Sequence, residues 1–471
     1  MLWLGGLPSA SAGGPEAANS EAANSGGTFD PPHVILIVAD DLGYGDLGCY
    51  GQQQIKTPCI DALAENGLRF TDFYAGSTVC APSRCCLMTG YHTGHAYIRG
   101  NDRLSLRDED YTVAEIMLEA GYYNGIFGKW GLGEEGTLGM PTRQGFLEFY
   151  GYLNQRHAHN YYPSFLFEQE DRVLTANVVP DEGEFGEGVA SEKYDYSHSL
   201  IVDRSMEFIR DNYSDPFFLY LPLTIPHANN EAGRDGMEVP DFGQYADKDW
   251  NDSQKGHAAM ISLMDRDVGR IVDLLDELGI RDNTIIFFTS DNGPHSEGGV
   301  DPAFNDSNGP LRGSKRSLHE GGIRVPLIAN CPGKIPAGVS RHVAAFWDFM
   351  PTLAAIGDVP SLVPSDCDGI SFHHELFGEK HLQARHPFLC WTFYEKNKGW
   401  GVRRGKYKLI CQPYDSDPRL YDLERDLGEI RDVANVYPDT AESLRQIMID
   451  QYKPTKRYLM PGLLSSDFQI D

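Results

Sequence analysis

A chain of 471 residues, 41% hydrophobic and 11% aromatic, holds enough apolar side chain to bury a large core, which excludes extended disorder. Its 68 acidic and 40 basic residues give a formal net charge of −28. Such a field repels phosphate backbones, so a nucleic-acid partner is excluded, and any anionic substrate must be held by locally placed Lys and Arg.

The chain opens on an apolar run, Met1 to Leu7, followed by the small residues Ala10-Ser11-Ala12. They read as a signal remnant with its cleavage site, which points to export to a periplasmic, extracellular or lysosome-like compartment. Glu16-Ala-Ala-Asn-Ser20 repeats at once as residues 21–25, a small, polar segment with the character of a linker. The expected division is therefore a leader at 1–30 and a fold starting near Pro31. No stretch has the length of a membrane span.

His33-Val-Ile-Leu-Ile-Val-Ala39 is nearly continuous aliphatic sequence, as expected for a strand buried on both faces, and it runs straight into Asp40-Asp41. Leu68 to Tyr74 is a second strand-like run. The Cys80-Ala-Pro-Ser-Arg84 segment follows it, and Pro82 suits the first turn of a helix reaching Thr89. That places Cys80 at a helix N-terminus, where backbone N–H groups favour an anion. Left unmodified, it reads as a low-pKa thiolate nucleophile. Asp110 to Ala120 is helical and closed by Gly121. Gly125-Ile-Phe-Gly-Lys129 is a strand ending on a cation. His198 to Asn212 is helical, and the strand Pro216 to Leu221 leads through Pro226 to His227. Gly256 to Leu278 carries a core stripe of Ile261, Met264, Val268, Ile271 and Leu275. Thr284 to Ser290 is a strand running into Asp291-Asn292-Gly293.

Strands alternating with helices predict an α/β fold with a doubly wound, mostly parallel sheet flanked by helices. Ligands in such sheets bind beyond the carboxyl ends of the strands, so several strands deliver ionic residues to one edge. A shift to Pro, Ser and Asp over Asp358 to Asp368 marks a second unit. The expected boundaries are a catalytic domain at 31–375 and a smaller C-terminal α+β subdomain at 376–471, with a hairpin over Trp400 to Ile410 and a helix from Ala441 to Tyr452.

Asp40, Asp41, Asp291 and Asn292 are all oxygen donors with no His or Cys at zinc spacing, which favours a hard cation, Ca2+ before Mg2+. A soft thiolate at Cys80 mismatches such a site. The nine cysteines form no metal ladder or dense disulfide frame, and the pairing of the other eight stays open.

Cys80-x-Pro82-Ser83-Arg84 resembles the modification signature of the type I, formylglycine-dependent sulfatases, members of the alkaline-phosphatase-like superfamily. Asp40-Asp41-Leu-Gly-Tyr-Gly-Asp46, Gly128-Lys129-Trp130, Pro226-His227, Ser290 to Gly293, Gly309 to Lys315, Glu320 to Pro326 and Leu420 to Glu424 are similar to that family's blocks, in its order. The resemblance covers roughly residues 31–455. It implies hydrolysis of sulfate esters, on a sulfated carbohydrate, by formylglycine made from Cys80 by a formylglycine-generating enzyme. It implies a metal held by Asp40, Asp41, Asp291, Asn292 and the modified Cys80. By the same resemblance Arg84 holds the nucleophile, Lys129 and Lys315 contact sulfate oxygens, and His227 protonates the departing alcohol.

One position departs from the family. Many members carry His two residues after the motif lysine, where this chain has Gly131; His95 or His295 is the expected substitute, and with Arg99 they are the candidate substrate-binding residues. The polar loops 154–181 and 229–252, the first with His157, His159, Tyr161 and Tyr162, suit sugar stacking or plain loop packing. The alternatives are a phosphoester or phosphonate hydrolase of the same superfamily, or a non-catalytic relative that binds sulfated sugar.

Overall fold

The His33–Ala39 strand is fully buried, and its side chains alternate between two cores. Val34, Leu36 and Val38 enter one apolar cluster, and Ile35, Ile37 and Ala39 enter the other. Period-two alternation in an all-apolar strand is what a sheet covered on both faces requires. The structure is a computed structural model and describes residues 31–464; the expected leader at 1–30 lies outside the described residues.

This strand, β1, belongs to an eleven-stranded sheet. The others are β2 (Leu68–Tyr74), β3 (Tyr123–Lys129), β4 (Glu148–Tyr152), β5 (Phe165–Glu168), β6 (Asp171–Leu174), β7 (Phe217–Pro222), β8 (Thr284–Ser290), β9 (Arg324–Asn330), β10 (Gly338–Ser340) and β11 (Ala344–Ala345). The order is β10-β2-β9-β8-β1-β7-β3-β4-β5-β6, with β11 paired to β2. The centre, β8-β1-β7-β3-β4, is parallel, while β9 pairs antiparallel with both β8 and β2. The mostly parallel expectation holds.

Helices cover both faces. Residues of α1 (Pro58–Glu65), α4 (Ser197–Asn212) and α5 (Asp252–Glu277) pack in the cluster with Ile35 and Ile37. The other face takes α2 (Cys80–Thr89), α3 (Val113–Glu119) and α7 (Phe349–Ile356), with two single-turn helices, α6 (Glu320–Ile323) and α8 (His373–Leu376), elsewhere in the chain. The stripe from Ile261 to Leu275 is buried as expected. Three helix starts move by three or four residues, one of them the C-terminal helix, which begins at Pro438 rather than Ala441; the other two have a side-chain cause. Helix α3 begins at Val113, not Asp110, because Thr112 forms a capping box with Glu115 while Asp110 is taken by Arg107. Helix α5 begins at Asp252, a turn earlier than expected, because the Asn251 side chain accepts the Gln254 N–H.

A separate four-stranded antiparallel sheet, β12 (Leu389–Phe393), β13 (Gly399–Arg404), β14 (Tyr407–Cys411) and β15 (Arg419–Asp422), is followed by α9 (Pro438–Gln451). Trp391 joins it to the large sheet, donating its indole N–H to the Ala75 carbonyl at 3.0 Å. Among the described residues no helix is long and apolar enough to cross a membrane.

Candidate active site

The carboxyl ends of three central strands supply the polar centre. β1 ends at Ala39, so Asp40 and Asp41 lie just past the sheet, and Asp41 adopts a left-handed backbone (φ 63°). That conformation is uncommon for a residue with a Cβ. It is held by two bonds from β8 and its end: Asp41 N–H donates to Asp291 Oδ1 (3.1 Å) and Leu42 N–H to Ser290 Oγ (3.0 Å). β3 ends on Lys129, whose Nζ lies 2.6 Å from Asp40 Oδ2. Lys315 reaches Asp41 Oδ2 at 2.7 Å.

Cys80 is the first residue of α2 and is buried, with Sγ 3.3 Å from Asp40 Oδ1. One turn on, Arg84 is wholly buried. Its Nε and one terminal nitrogen donate to Asp291 Oδ2 at 3.1 and 2.9 Å, and the other terminal nitrogen donates to the Lys129 carbonyl at 2.5 Å. His227 donates from Nδ1 to the Ala228 carbonyl (2.7 Å), leaving Nε2 to accept from Lys315 Nζ at 3.0 Å. The structure thus brings together Asp40, Asp41, Cys80, Arg84, Lys129, His227, Asp291, Asn292 and Lys315.

Buried charges so crowded shift one another's protonation. Burial opposes charge on Asp40, yet Lys129, Arg84 and Lys315 outweigh it and hold the carboxyl well below its usual range. Asp291 is pushed up to about 7 by burial and by the Asp40 carboxylate. Burial, then the neighbouring Asp40 charge, raise the Cys80 thiol well above normal. The expectation of a low-pKa thiolate is therefore corrected: the helix N-terminus is outweighed by desolvation and a carboxylate at contact distance.

The donor set fits a hard cation. Asn292 Nδ2 donates to Asp41 Oδ1 (2.6 Å) and the Gly293 carbonyl (2.9 Å), and its buried Oδ1 has no hydrogen-bond partner among the described residues. Three clustered carboxylates, one of them unable to ionise freely, with an unpaired amide oxygen on the residue next to Asp291, are a donor set suited to a hard cation.

The candidate substitutes for the family histidine are engaged elsewhere. His295 donates from Nε2 to the Pro226 carbonyl (2.9 Å) and accepts the Glu297 N–H at Nδ1 (3.1 Å), so both ring nitrogens are committed. His95 is bonded to Asp368 at 2.9 Å and stacked on His92. Arg99 is buried with its donors on the Ala96 and Lys453 carbonyls. The space a side chain at Gly131 would enter is filled by Gln155, and Gly131 has a left-handed backbone (φ +76°). Glu297 is a site residue the sequence reading missed. It accepts from Lys315 (3.0 Å) and from Arg316 (2.7 Å), and although burial opposes its charge, Lys315 and its neighbours hold it at about 2. No spacing marks it; its only signal is lying in the loop after the Asp291-Asn292 pair.

Known proteins resemble this chain over most of its length. The sulfatase family model matches residues 32–359, and the model described as N-sulphoglucosamine sulphohydrolase, C-terminal, matches 313–454. Arylsulfatase A of Homo sapiens is 32% identical, over 89% of this chain and 87% of that protein. N-acetylgalactosamine-6-sulfatase of Canis lupus familiaris is 31% identical, over 81% and 72%. A sulfatase structure from Pseudoalteromonas sp. superposes with TM-score 0.72 at 23% identity, covering 91% of this chain and 92% of that one. The phosphonate monoester hydrolase of Agrobacterium radiobacter gives 0.62 at 19%, covering 89% and 95%. At such identities both structures speak for the fold alone.

Proposed function

The chain belongs to the sulfatase family and is a sulfuric ester hydrolase, and from that premise we propose that it cleaves sulfate esters on a carbohydrate after a formylglycine-generating enzyme has converted Cys80 to formylglycine, with calcium held by Asp40, Asp41, Asp291 and Asn292 beside residue 80. The sulfated-sugar relatives support the substrate class, and the apolar N-terminal run supports export.

One observation carries the reading. Cys80 is a buried thiol held protonated beside Asp40, hence a poor nucleophile as it stands, inside a ring of hard oxygen donors and ammonium groups suited to an oxyanion. Formylglycine supplies an oxygen nucleophile in its place, and the cation supplies charge neutralisation among the carboxylates. Lys129 and Lys315 present ammonium groups to the sulfate oxygens and offset the charge carried by the transferring group. Arg84 fixes Asp291 and the end of β3 in one plane of hydrogen bonds. The Lys315–His227 pair carries the proton that the departing alcohol takes, its ring orientation set by the Nδ1 bond to Ala228.

Peptide mass spectrometry of active protein tests the nucleophile. The expected result is aldehyde at residue 80, and full activity with only unmodified Cys80 would sink it. Matched sulfate and phosphonate esters test the reaction: a higher kcat/KM on the phosphonate would move the reading to the hydrolase alternative, whose fold this chain shares.

A further inference from the structure

Two loops meet over His227. One follows β4 and ends in a short turn, His157–His159; the other runs on from His227 itself. The His159 ring stacks on the His227 ring, with centroids 4.9 Å apart and planes 11° from parallel. His159 Nδ1 faces the Glu231 carboxylate at 3.1 and 3.3 Å, and its Nε2 has no hydrogen-bond partner among the described residues. Glu231 is fixed from beneath. Its N–H donates to Asn229 Oδ1 (3.1 Å), and buried Asn229 donates to the Gly188 carbonyl (3.0 Å) and to Glu238 (2.6 Å).

The pair also differs in chemistry from the centre it covers. The inner ring offers ammonium and guanidinium donors, whereas this outer pair offers a carboxylate acceptor beside an open imidazole nitrogen. The His227 side chain is 3% exposed, against 13% for His159 and 29% for Glu231, so the pair lies on the solvent side of His227. An alcohol departing past His227 toward solvent would meet this pair. A sugar hydroxyl is both donor and acceptor and satisfies such a pair, whereas a sulfate offers acceptors only and is repelled by Glu231.

We propose that His159 and Glu231 form the sugar subsite on the leaving-group side, binding a free hydroxyl next to the sulfate ester and rejecting a second sulfate at that position. The inference rests on the proposed function and names the substrate class for it: a saccharide whose hydroxyl beside the scissile ester is unsulfated.

The experiment compares wild type, His159→Ala and Glu231→Gln on four substrates. They are an activated aryl sulfate, a monosulfated monosaccharide with a free neighbouring hydroxyl, its deoxy analogue, and the disulfated sugar. In each variant the kcat/KM ratio of sugar to aryl sulfate should fall by about 10- to 100-fold, the scale of a hydrogen bond to a charged group. Wild type should show a similar fall for the deoxy sugar, and Glu231→Gln should narrow the gap between mono- and disulfated sugars. An unchanged ratio, or equal losses on aryl and sugar sulfates, would overturn the subsite; equal losses would make the pair a prop for His227. Turnover of the aryl sulfate also reports that each variant folds. Wild type that cleaves no sulfate ester would defeat the proposed function itself, an outcome distinct from an unchanged ratio.

Discussion

Arg84→Met removes a fully buried cation of the site. The guanidinium is fully buried and makes two bonds to Asp291 and one to the Lys129 carbonyl, with Asp40 a further 3.8 Å away. Deleting one partner of a buried ion pair costs about 3–5 kcal/mol, because the other charge is left stranded. Asp291 already sits near 7, so at neutral pH it can take up a proton and shed that charge, which places the loss at the lower end, about 3 kcal/mol. The Lys129 carbonyl, left without its donor, adds about 1 kcal/mol. The expected total is about 4 kcal/mol. Arg84→Lys keeps the charge but cannot make the same fork of bonds, and should lose roughly half as much. Urea unfolding at pH 7 after chelation reads the difference, since a bound cation would otherwise stand in for the guanidinium. A loss below about 1 kcal/mol for the Met variant would refute the argument, because it would mean that Arg84 and Asp291 are not paired away from water.

Asp291→Asn should abolish turnover and weaken calcium binding while the protein still folds, since the amide keeps the shape beside Arg84; anomalous scattering from a loaded crystal identifies the ion, and a tetrahedral zinc would contradict the oxygen donor set. His227→Ala should slow cleavage of an alkyl sulfate by about 10²–10⁴-fold and of an activated aryl sulfate far less, because a phenolate leaves without a proton; equal losses on both esters would remove His227 from the proton's path. His157 lies buried between Tyr152 and Phe165, and burial holds it down at about 3. A histidine so depressed gives stability that is present above its unfolded pKa of about 6.5 and is lost as pH falls toward 3, at about 1.4 kcal/mol per pH unit. His157→Leu should therefore flatten the decline of urea midpoints between pH 6 and pH 4, and an unaltered slope would show that the ring does not stay neutral in the fold.

The strand runs were legible because buried parallel strands are apolar end to end, so His33–Ala39 and Thr284–Ser290 announce themselves and the acids after them fall at the sheet edge. The acidic cluster past the strands and the Cys80–Arg84 segment were legible for the same reason, as short local strings at predictable strand and helix ends. Helix starts were less so, since Thr112 and Asn251 outcompete their neighbours through side-chain bonds that periodicity does not record. The loop residues gave still less. Gln155 filling the space beside Gly131, Glu297 gripping Lys315, and His159 against Glu231 sit in segments with neither a period of two nor of 3.6.

By itself the sequence determined which chemistry is present: hard oxygen donors, cations and one marked cysteine, delivered by a doubly wound sheet. The tertiary structure decided which charges meet. Arg84 and Asp291 are 207 residues apart yet bonded at 2.9 Å, and His159 and Glu231 are 72 apart. It also decided the protonation of each group, raising Cys80 where the helix terminus alone favoured a thiolate. Burial and Coulomb interactions depend on distances through the fold, and those distances are set by how the sheet and its loops pack rather than by the order of residues along the chain.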